Sequence, residues 1–419
     1  MAGRFLSLFK PVARAIPEIK APERRVRFNE KIFWTALVLV ILLVMSEVPL
    51  FGGTSSALGQ LTALRVIFAS TRGTLMELGI GPIVTGGLIL QLLIGSNMIE
   101  ADMNNPEDRG LFTTANKVFS ILLTGVQASA YIIGGMYGTL AGTAAILIFL
   151  QLMAAGIIVL LLDELVQKGW GFGSGISLFI MAGVAQKVFL SCFYASPSVD
   201  QFGSSGIFIA LAQTLSNPKI PLLNIIARLP GAAQGTQYPS IVGFLATVGA
   251  FLVVIYMEGV KLELPLSYAG YKGYRSRYPI KLLYVSNLPV IFASALFANV
   301  YFFSQILWNS YNGNNTNFWL NLLGQFRTYT PSGSTTPQII PSGGLVYYVT
   351  APRNFLQIMG DPGQAFGYLG ILVVFCVVFS LTWLEVGGLG PSTVAQQLVD
   401  SGMQIPGYRR SGKAIESIL

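Results

Sequence analysis

The chain has 419 residues, of which 53% are hydrophobic and only 11% charged, against roughly 25% charged in soluble domains. Twenty-six Lys and Arg with 18 Asp and Glu cannot cover a water-soluble globule of this length, so the chain needs lipid as part of its solvent. No His is present, which excludes His-based acid–base catalysis, His-activated nucleophiles and His metal sites; Cys192 and Cys376 form no CxxC pair and no disulfide framework.

Residues 1–31 hold eight of the basic residues with Pro11, Pro17 and Pro22, and short apolar patches such as Phe5, Leu6, Leu8 and Phe9. They read as an amphipathic cytoplasmic segment lying against anionic lipid. Ile32 to about Leu50 is the first long apolar run; it lacks an A-x-A cleavage site and is expected to stay as a membrane helix. Apolar runs then recur at about 73–96, 115–137, 139–162, 174–195, 239–262, 281–308 and 366–386, which makes eight spans. With a cytoplasmic N-terminus, the inner pieces carry 19 Lys and Arg and the outer pieces seven. The positive-inside rule selects that orientation. The sequon Asn314-Asn315-Thr316 then falls outside.

Two segments depart from a plain bundle. Leu58 to Phe68 is too short to cross a bilayer and too apolar for an exposed loop, and three Gly and Pro82 interrupt the following Gly73–Pro82. Interrupted helices at membrane depth must face protein or a water-filled cavity, so 54–95 reads as a re-entrant half-helix followed by a full helix. The second, Lys168-Gly169-Trp170-Gly171-Phe172-Gly173-Ser174-Gly175, is spaced GxGxG and follows a membrane helix rather than a strand. It is a tight turn and helix start, not a nucleotide loop.

Acidic residues near membrane depth mostly sit at span ends; Glu77 alone lies well inside the interrupted region, and one carboxylate is no proton relay. The neutral polar residues Thr85, Gln91, Gln127 and Asn299 lie at depth and suit interhelical hydrogen bonds. Two inner loops alternate basic and aromatic residues: 268–279, with Lys272, Arg275 and Arg277, and 407–416, with Arg409 and Arg410. Either headgroup phosphates or RNA phosphates would satisfy that pattern.

Gly73–Leu93 and Leu162–Ile180 resemble the two sequence signatures of the SecY family, the channel subunit of the protein-conducting translocon. Tyr278–Asn299 and Gly407–Glu416 resemble the same family, the last in its archaeal and eukaryotic style. The resemblance implies an all-α polytopic membrane protein, a clamshell of two pseudo-symmetric five-helix halves with a plug half-helix. It divides the chain into a first half at 32–197 with the plug at about 54–70, an external hinge loop at 198–238, a second half at 239–386 and a cytoplasmic loop at 387–419.

It also implies site residues. Ile80, Val84, Phe172, Ile176 and Ile291 take positions of an apolar pore ring, with Phe172 where the family has an aliphatic. Leu61, Leu64, Val66, Ile67 and Phe68 fall in the plug, and Thr85, Gln127 and Asn299 at a lateral gate. Lys272, Arg275, Arg277, Arg409 and Arg410 are expected to contact ribosomal RNA, although Gly270 stands where the family often has a base. The implied partners are a SecE-type gamma subunit, a small beta subunit, the ribosome with its nascent chain, signal sequences and membrane lipids. The implied location is the plasma membrane, with no cofactor, no metal and no catalytic residue.

A secondary transporter shares interrupted helices, but it needs convergent polar ligands at midplane, where this sequence offers one Glu and neutral groups. Eight spans are awkward for two five-helix halves. The sequence is therefore expected to stop before two further helices, at Ile415-Glu416-Ser417-Ile418-Leu419.

Overall fold

The computed structural model describes residues 17–52, 68–71, 73–95, 98–99, 106–133, 142–194, 206–216, 241–268, 275–282, 287–329, 338–352, 355–386 and 390–404, with Phe9, Pro11, Tyr137, Val285 and Glu416 besides. Helix α1 (Phe28–Glu47) has 20 residues, about 30 Å at 1.5 Å each, which matches a bilayer core. Val38, Leu42 and Met45 recur at helical spacing and are buried, while Phe33, Val40 and Val44 face outward. The narrow buried stripe lies on the bundle and lipid takes the rest.

The second span begins later than its apolar run. Residues 73–80 form turns, with Gly73 at φ 71° and Gly79 at φ 56°, and α2 starts only at Gly81 (Gly81–Gly95). Met76, Leu78 and Ile80 are buried, so the hydropathy of 73–80 belongs to the inside of a turn rather than to helix. In contrast, α3 (Pro106–Ile133) begins well before the expected 115. Its charged first turns stay helical because Lys117 finds Glu164 of the next helix at 2.6 Å.

Helix α4 (Gly142–Leu165) runs on into a π-turn, Val166–Trp170, which ends where Gly169 takes φ 99°. Then come α5 (Gly175–Phe193), α6 (Ile207–Ser216) and α7 (Ile241–Gly259). No residue of α7 is buried. Strands β1 (Lys261–Tyr268) and β2 (Arg275–Lys281) occupy what the hydropathy assigned partly to a loop and partly to the next span. That span, α8 (Leu288–Tyr311), therefore starts later than 281, with Pro289 in its first turn.

Between α8 and the last long helix lie α9 (Phe318–Leu323), β3 (Gln325–Tyr329), β4 (Gln338–Gly343), α10 (Leu345–Val349) and α11 (Phe355–Gly360). The Tyr347 hydroxyl donates to Asp361 at 2.6 Å, which holds the Asp361 carboxyl below its ordinary value and pushes Tyr347 up to about 12. Helix α12 (Pro362–Val386), α13 (Pro391–Asp400) and β5 (Met403–Gln404) follow.

Eight long helices thus answer to the eight expected spans, six of them long and apolar enough to cross a membrane by themselves. Helices α2 and α8 are the most buried, and the main apolar cluster is built around them with α1, α4, α5 and α12. Small residues allow close approach. A Cβ at Gly86 would lie 2.9 Å from Ser120 Oγ of α3, and one at Gly156 would lie 2.5 Å from Thr124 Cγ2.

Outside the helices, β1 pairs antiparallel with β2, with Leu264 opposite Tyr278 and Pro265 opposite Arg277. β1 also pairs with β5 through Ser267 and Gln404, in the sheet order β2-β1-β5. The strand just ahead of the second basic segment, Met403–Gln404, thus joins the sheet of the first; 407–415 lie outside the described residues.

Candidate functional site

The site is built where α2, α3 and α8 converge. Ile80, Val84 and Ile291 are buried in one apolar cluster, and Ile176 packs against it from α5. Phe172, the fifth residue expected with them, stands apart from that cluster. It is 37% exposed, its ring meets Phe28 edge-on at 5.4 Å, and its N–H donates to Thr35 Oγ1 at 3.2 Å. The reason is local: Gly169 and Gly173 both take positive φ and turn the segment toward α1 before α5 begins.

Phe68 is the one expected plug residue among those described; Leu61, Leu64, Val66 and Ile67 lie outside them. The Phe68 carbonyl accepts the Ile80 N–H at 2.9 Å, and its side chain joins the same cluster. A Cβ at Gly79 would collide with that carbonyl, so the residue beside the junction must be Gly. The turn is further held by the Thr71 hydroxyl donating to the Ser46 carbonyl at 3.0 Å and by the Gly73 N–H donating to buried Glu77. The segment that precedes the helix and the helix itself are one hydrogen-bonded unit.

Thr85, Gln127 and Asn299 meet in a single chain of bonds. Gln127 Nε2 donates to Asn299 Oδ1 at 3.1 Å, and Asn299 Nδ2 donates to Thr85 Oγ1 at 3.0 Å and to the Ala295 carbonyl at 2.9 Å. The Thr85 hydroxyl donates in turn to the Gly81 carbonyl at 2.8 Å. Every polar atom of Asn299 is used, which makes its presence among apolar helices tolerable. The network joins α8 to both α2 and α3. Beside it opens a cavity of about 50 Å³, lined by Phe68, Glu77, Gln127, Tyr131, Asn299 and Phe302 among others. That is room for roughly three or four waters.

Sequence reasoning missed Tyr131 and Phe302, whose rings stack across the same seam at 4.5 Å and 25°. A signal existed. Tyr131 lies four residues beyond Gln127 and Phe302 three beyond Asn299, so each shares a helix face with its polar neighbour. Also unforeseen was a clasp at the N-terminal end, where Lys168 bridges Glu18 at 2.5 Å and Glu164 at 2.9 Å. Trp170 Nε1 adds a bond to the Lys20 carbonyl at 2.9 Å. The hydrogen bond from Lys168 is the main cause that lowers the Glu18 carboxyl below its ordinary value.

Of the five expected basic contacts, Arg277 is described with its side chain, and it is already paired with Glu263 at 2.8 Å. Lys261 lies 3.4 Å from the same carboxylate, and the two cations hold Glu263 below its ordinary value, Arg277 first. Arg275 is described by its backbone opposite Ser267, while Lys272, Arg409 and Arg410 lie outside the described residues. Among the described residues no group of three or more His, Cys, Asp or Glu could hold a metal ion.

Residues 74–419 match the family model SecY, and residues 40–73 match the plug domain of Sec61p. A solved structure described as a protein-conducting channel superposes with a TM-score of 0.76 at 33% identity, covering 98% of this chain and 85% of that one. Sec61 in the canine ribosome-channel complex from the endoplasmic reticulum gives 0.74 at 33% identity, with 98% and 85% covered. The idle yeast Ssh1 complex bound to the yeast 80S ribosome gives 0.72 at 25% identity, with 98% and 84% covered.

Proposed function

The chain belongs to the SecY family of protein-conducting channels with a plug domain, and we propose how its residues divide that work. It is a multi-pass membrane channel subunit, and the family moves polypeptides rather than performing enzymatic chemistry. Ile80, Val84, Ile176 and Ile291 form the apolar constriction, with Phe172 at its rim. Such a ring hinders ions by dewetting, yet its side chains yield around a passing polypeptide. Residues 54–70 plug it from outside, hung from the constriction through Phe68. The seam of α2 and α3 against α8 is the lateral gate, through which an apolar signal sequence exchanges channel contacts for lipid.

The halves are 32–197 and 239–386, joined by the hinge loop 198–238. The N-terminus is cytoplasmic, as the excess of Lys and Arg on its side supports, and the membrane is the plasma membrane. The β2-β1-β5 sheet pairs β1 with Met403–Gln404, which precede the second basic segment, and this supports a ribosome contact through Arg275 and Arg277 together with Lys272, Arg409 and Arg410. Two of the similar structures are ribosome complexes, which supports the same reading. The unburied apolar α7 leaves a face for a SecE-type helix, with a small beta subunit completing the assembly.

One observation carries the proposal: a three-residue polar bridge, Thr85–Asn299–Gln127, closes the seam directly beside the apolar cluster. The test is reconstitution of the channel with its partner subunits in sealed liposomes. Signal-bearing polypeptide should cross, chains lacking a signal should not, and saturable uptake of small solutes should stay absent. Solute uptake without polypeptide transport overturns the reading.

A further inference from the structure

A buried acid at the end of α4 has no part in the division of work proposed for the constriction, plug and gate. Asp163, near the end of α4, is 6% exposed. Gln167 Nε2 donates to its Oδ2 at 2.8 Å, while Oδ1 is buried with no hydrogen-bond partner. The carboxylate lies directly over the first turn of α5. A Cβ on Gly175 would collide with Oδ1 and lie 2.7 Å from the Asp163 Cα. No residue but Gly fits between the two helices there.

The first turn of α5 needs such an acceptor. A helix start leaves N–H groups without partners, and the residue that usually serves them is the one just before the helix. Here that residue is Ser174, in extended conformation at φ −101° and ψ 132°, and its side chain makes no capping bond. The carboxylate of Asp163, from the neighbouring helix, lies against that first turn, and its charge suits the positive end of the helix dipole. The glycine at 175 is what lets it come close enough.

We infer that Asp163 is a positioning residue for the constriction: through its close contact with Gly175, next to Ile176, it fixes how far Ile176 projects into the pore. The inference rests on the reading of Ile176 as a constriction residue. Its physical content is that one carboxylate couples the end of α4 to the height of an apolar side chain in α5. Asp163 touches no translocating chain itself.

The test is resting ion leak, read as chloride efflux from sealed vesicles that hold the channel with its partner subunits. Asp163→Ala and Gly175→Ala should each raise efflux about fivefold, the factor by which losing one helix cap shifts a two-state equilibrium. Asp163→Asn keeps the side chain's shape over Gly175 and should stay tight; a leaky Asp163→Asn beside a tight Asp163→Ala overturns the positioning inference. Gly175→Ala attacks the contact from the other side, so it serves if Asp163→Ala fails to assemble. An Ile176→Ser control separates the two readings. If Ile176→Ser leaks and both Asp163→Ala and Gly175→Ala remain tight, the positioning inference is wrong, including where their melting temperatures fall. If Ile176→Ser is itself tight, the constriction reading fails first.

Discussion

Gln127 and Asn299 are 172 positions apart in the chain, and Nε2 of the first donates to Oδ1 of the second at 3.1 Å. The bond ties α3 to α8, and the two Nδ2 protons of Asn299 tie α8 to Thr85 and to the Ala295 carbonyl of its own helix. Between apolar helices each such bond contributes about 0.5–1.5 kcal/mol, less than the apolar surface it displaces. A seam closed this way is held, but weakly enough to open.

Asn299→Leu should therefore bias the gate toward closed. The lost bonds are partly replaced by water in the neighbouring cavity, whereas Leu packs against α2 and α3 and forfeits part of about 1.5–3 kcal/mol wherever opening exposes it to the aqueous pore. We expect opening by a signal sequence to become harder by roughly fivefold to tenfold, on the order of 1 kcal/mol. Crosslinking of a signal sequence into the seam measures it. A variant that opens as readily as the parent removes Asn299 from the gate.

Phe172 and Ile80 should differ in their contribution to the seal. Ile80 is fully buried in the apolar cluster, so Ile80→Ala should raise resting ion leak and cost about 2–5 kcal/mol of stability. Phe172 is partly exposed against Phe28, and Phe172→Ala should leave the leak unchanged. Efflux assays on the two variants decide between a rim and a ring position.

Gly86→Val should loosen α2 from α3. The added Cβ would meet Ser120 Oγ at 2.9 Å and Ser120 N at 3.1 Å, and the second of these is backbone that cannot swing away. The expected cost is about 1–3 kcal/mol, seen as a lower melting temperature of the purified channel. Gly142→Val, where nothing lies within 4 Å, is the matched control and should change little.

The Glu18–Lys168 clasp should depend on pH and salt. The Glu18 carboxyl is held below its ordinary value near 4.5, so the clasp contributes fully above that pH and is lost as pH falls through the lowered value. Glu18 is largely exposed, so added salt should weaken the pair at neutral pH as well. Protection of the amides of residues 18–20, taken as the ratio of intrinsic to observed exchange at each pH, should fall on acidification, and Glu18→Gln should show low protection at neutral pH. Exchange that ignores both changes assigns the tether to the Trp170–Lys20 bond alone.

Arg277 should be a ribosome contact restrained by its neighbour. Because it already pairs with Glu263, Glu263→Gln should free the guanidinium and strengthen salt-sensitive ribosome binding. Reversing charge at Arg277 and Arg409 together should abolish it. Co-sedimentation with ribosomes over a salt series measures both, and unchanged affinity in the charge-reversed protein ends the assignment.

Much of this was legible along the chain. Hydropathy marked all eight long helices, because a helix in lipid must bury no backbone group unpaired and must be apolar for its full length. It misplaced three starts for reasons that hydropathy cannot express. Residues 73–80 are apolar because a turn is buried, Asp108 to Lys117 are charged yet helical because Glu164 waits across the bundle, and 275–281 pairs as strand with β1. The motif positions of Thr85, Gln127 and Asn299 were readable, and helical spacing put Tyr131 and Phe302 on the same faces, but that their rings stack was set by helix packing.

The sequence by itself determined the solvent, the number of long helices, the absence of His chemistry and the family, since each depends on residue types or on local order. Only the tertiary structure decided which residues meet. It closed the seam between positions 127 and 299, set Phe172 against Phe28 outside the apolar cluster, and paired β1 with Met403–Gln404. Those outcomes are pairings between residues far apart in the chain. Nothing in a residue's own neighbourhood sets its distant partner; helix packing does, through side chains that find both a shape and a hydrogen bond to match.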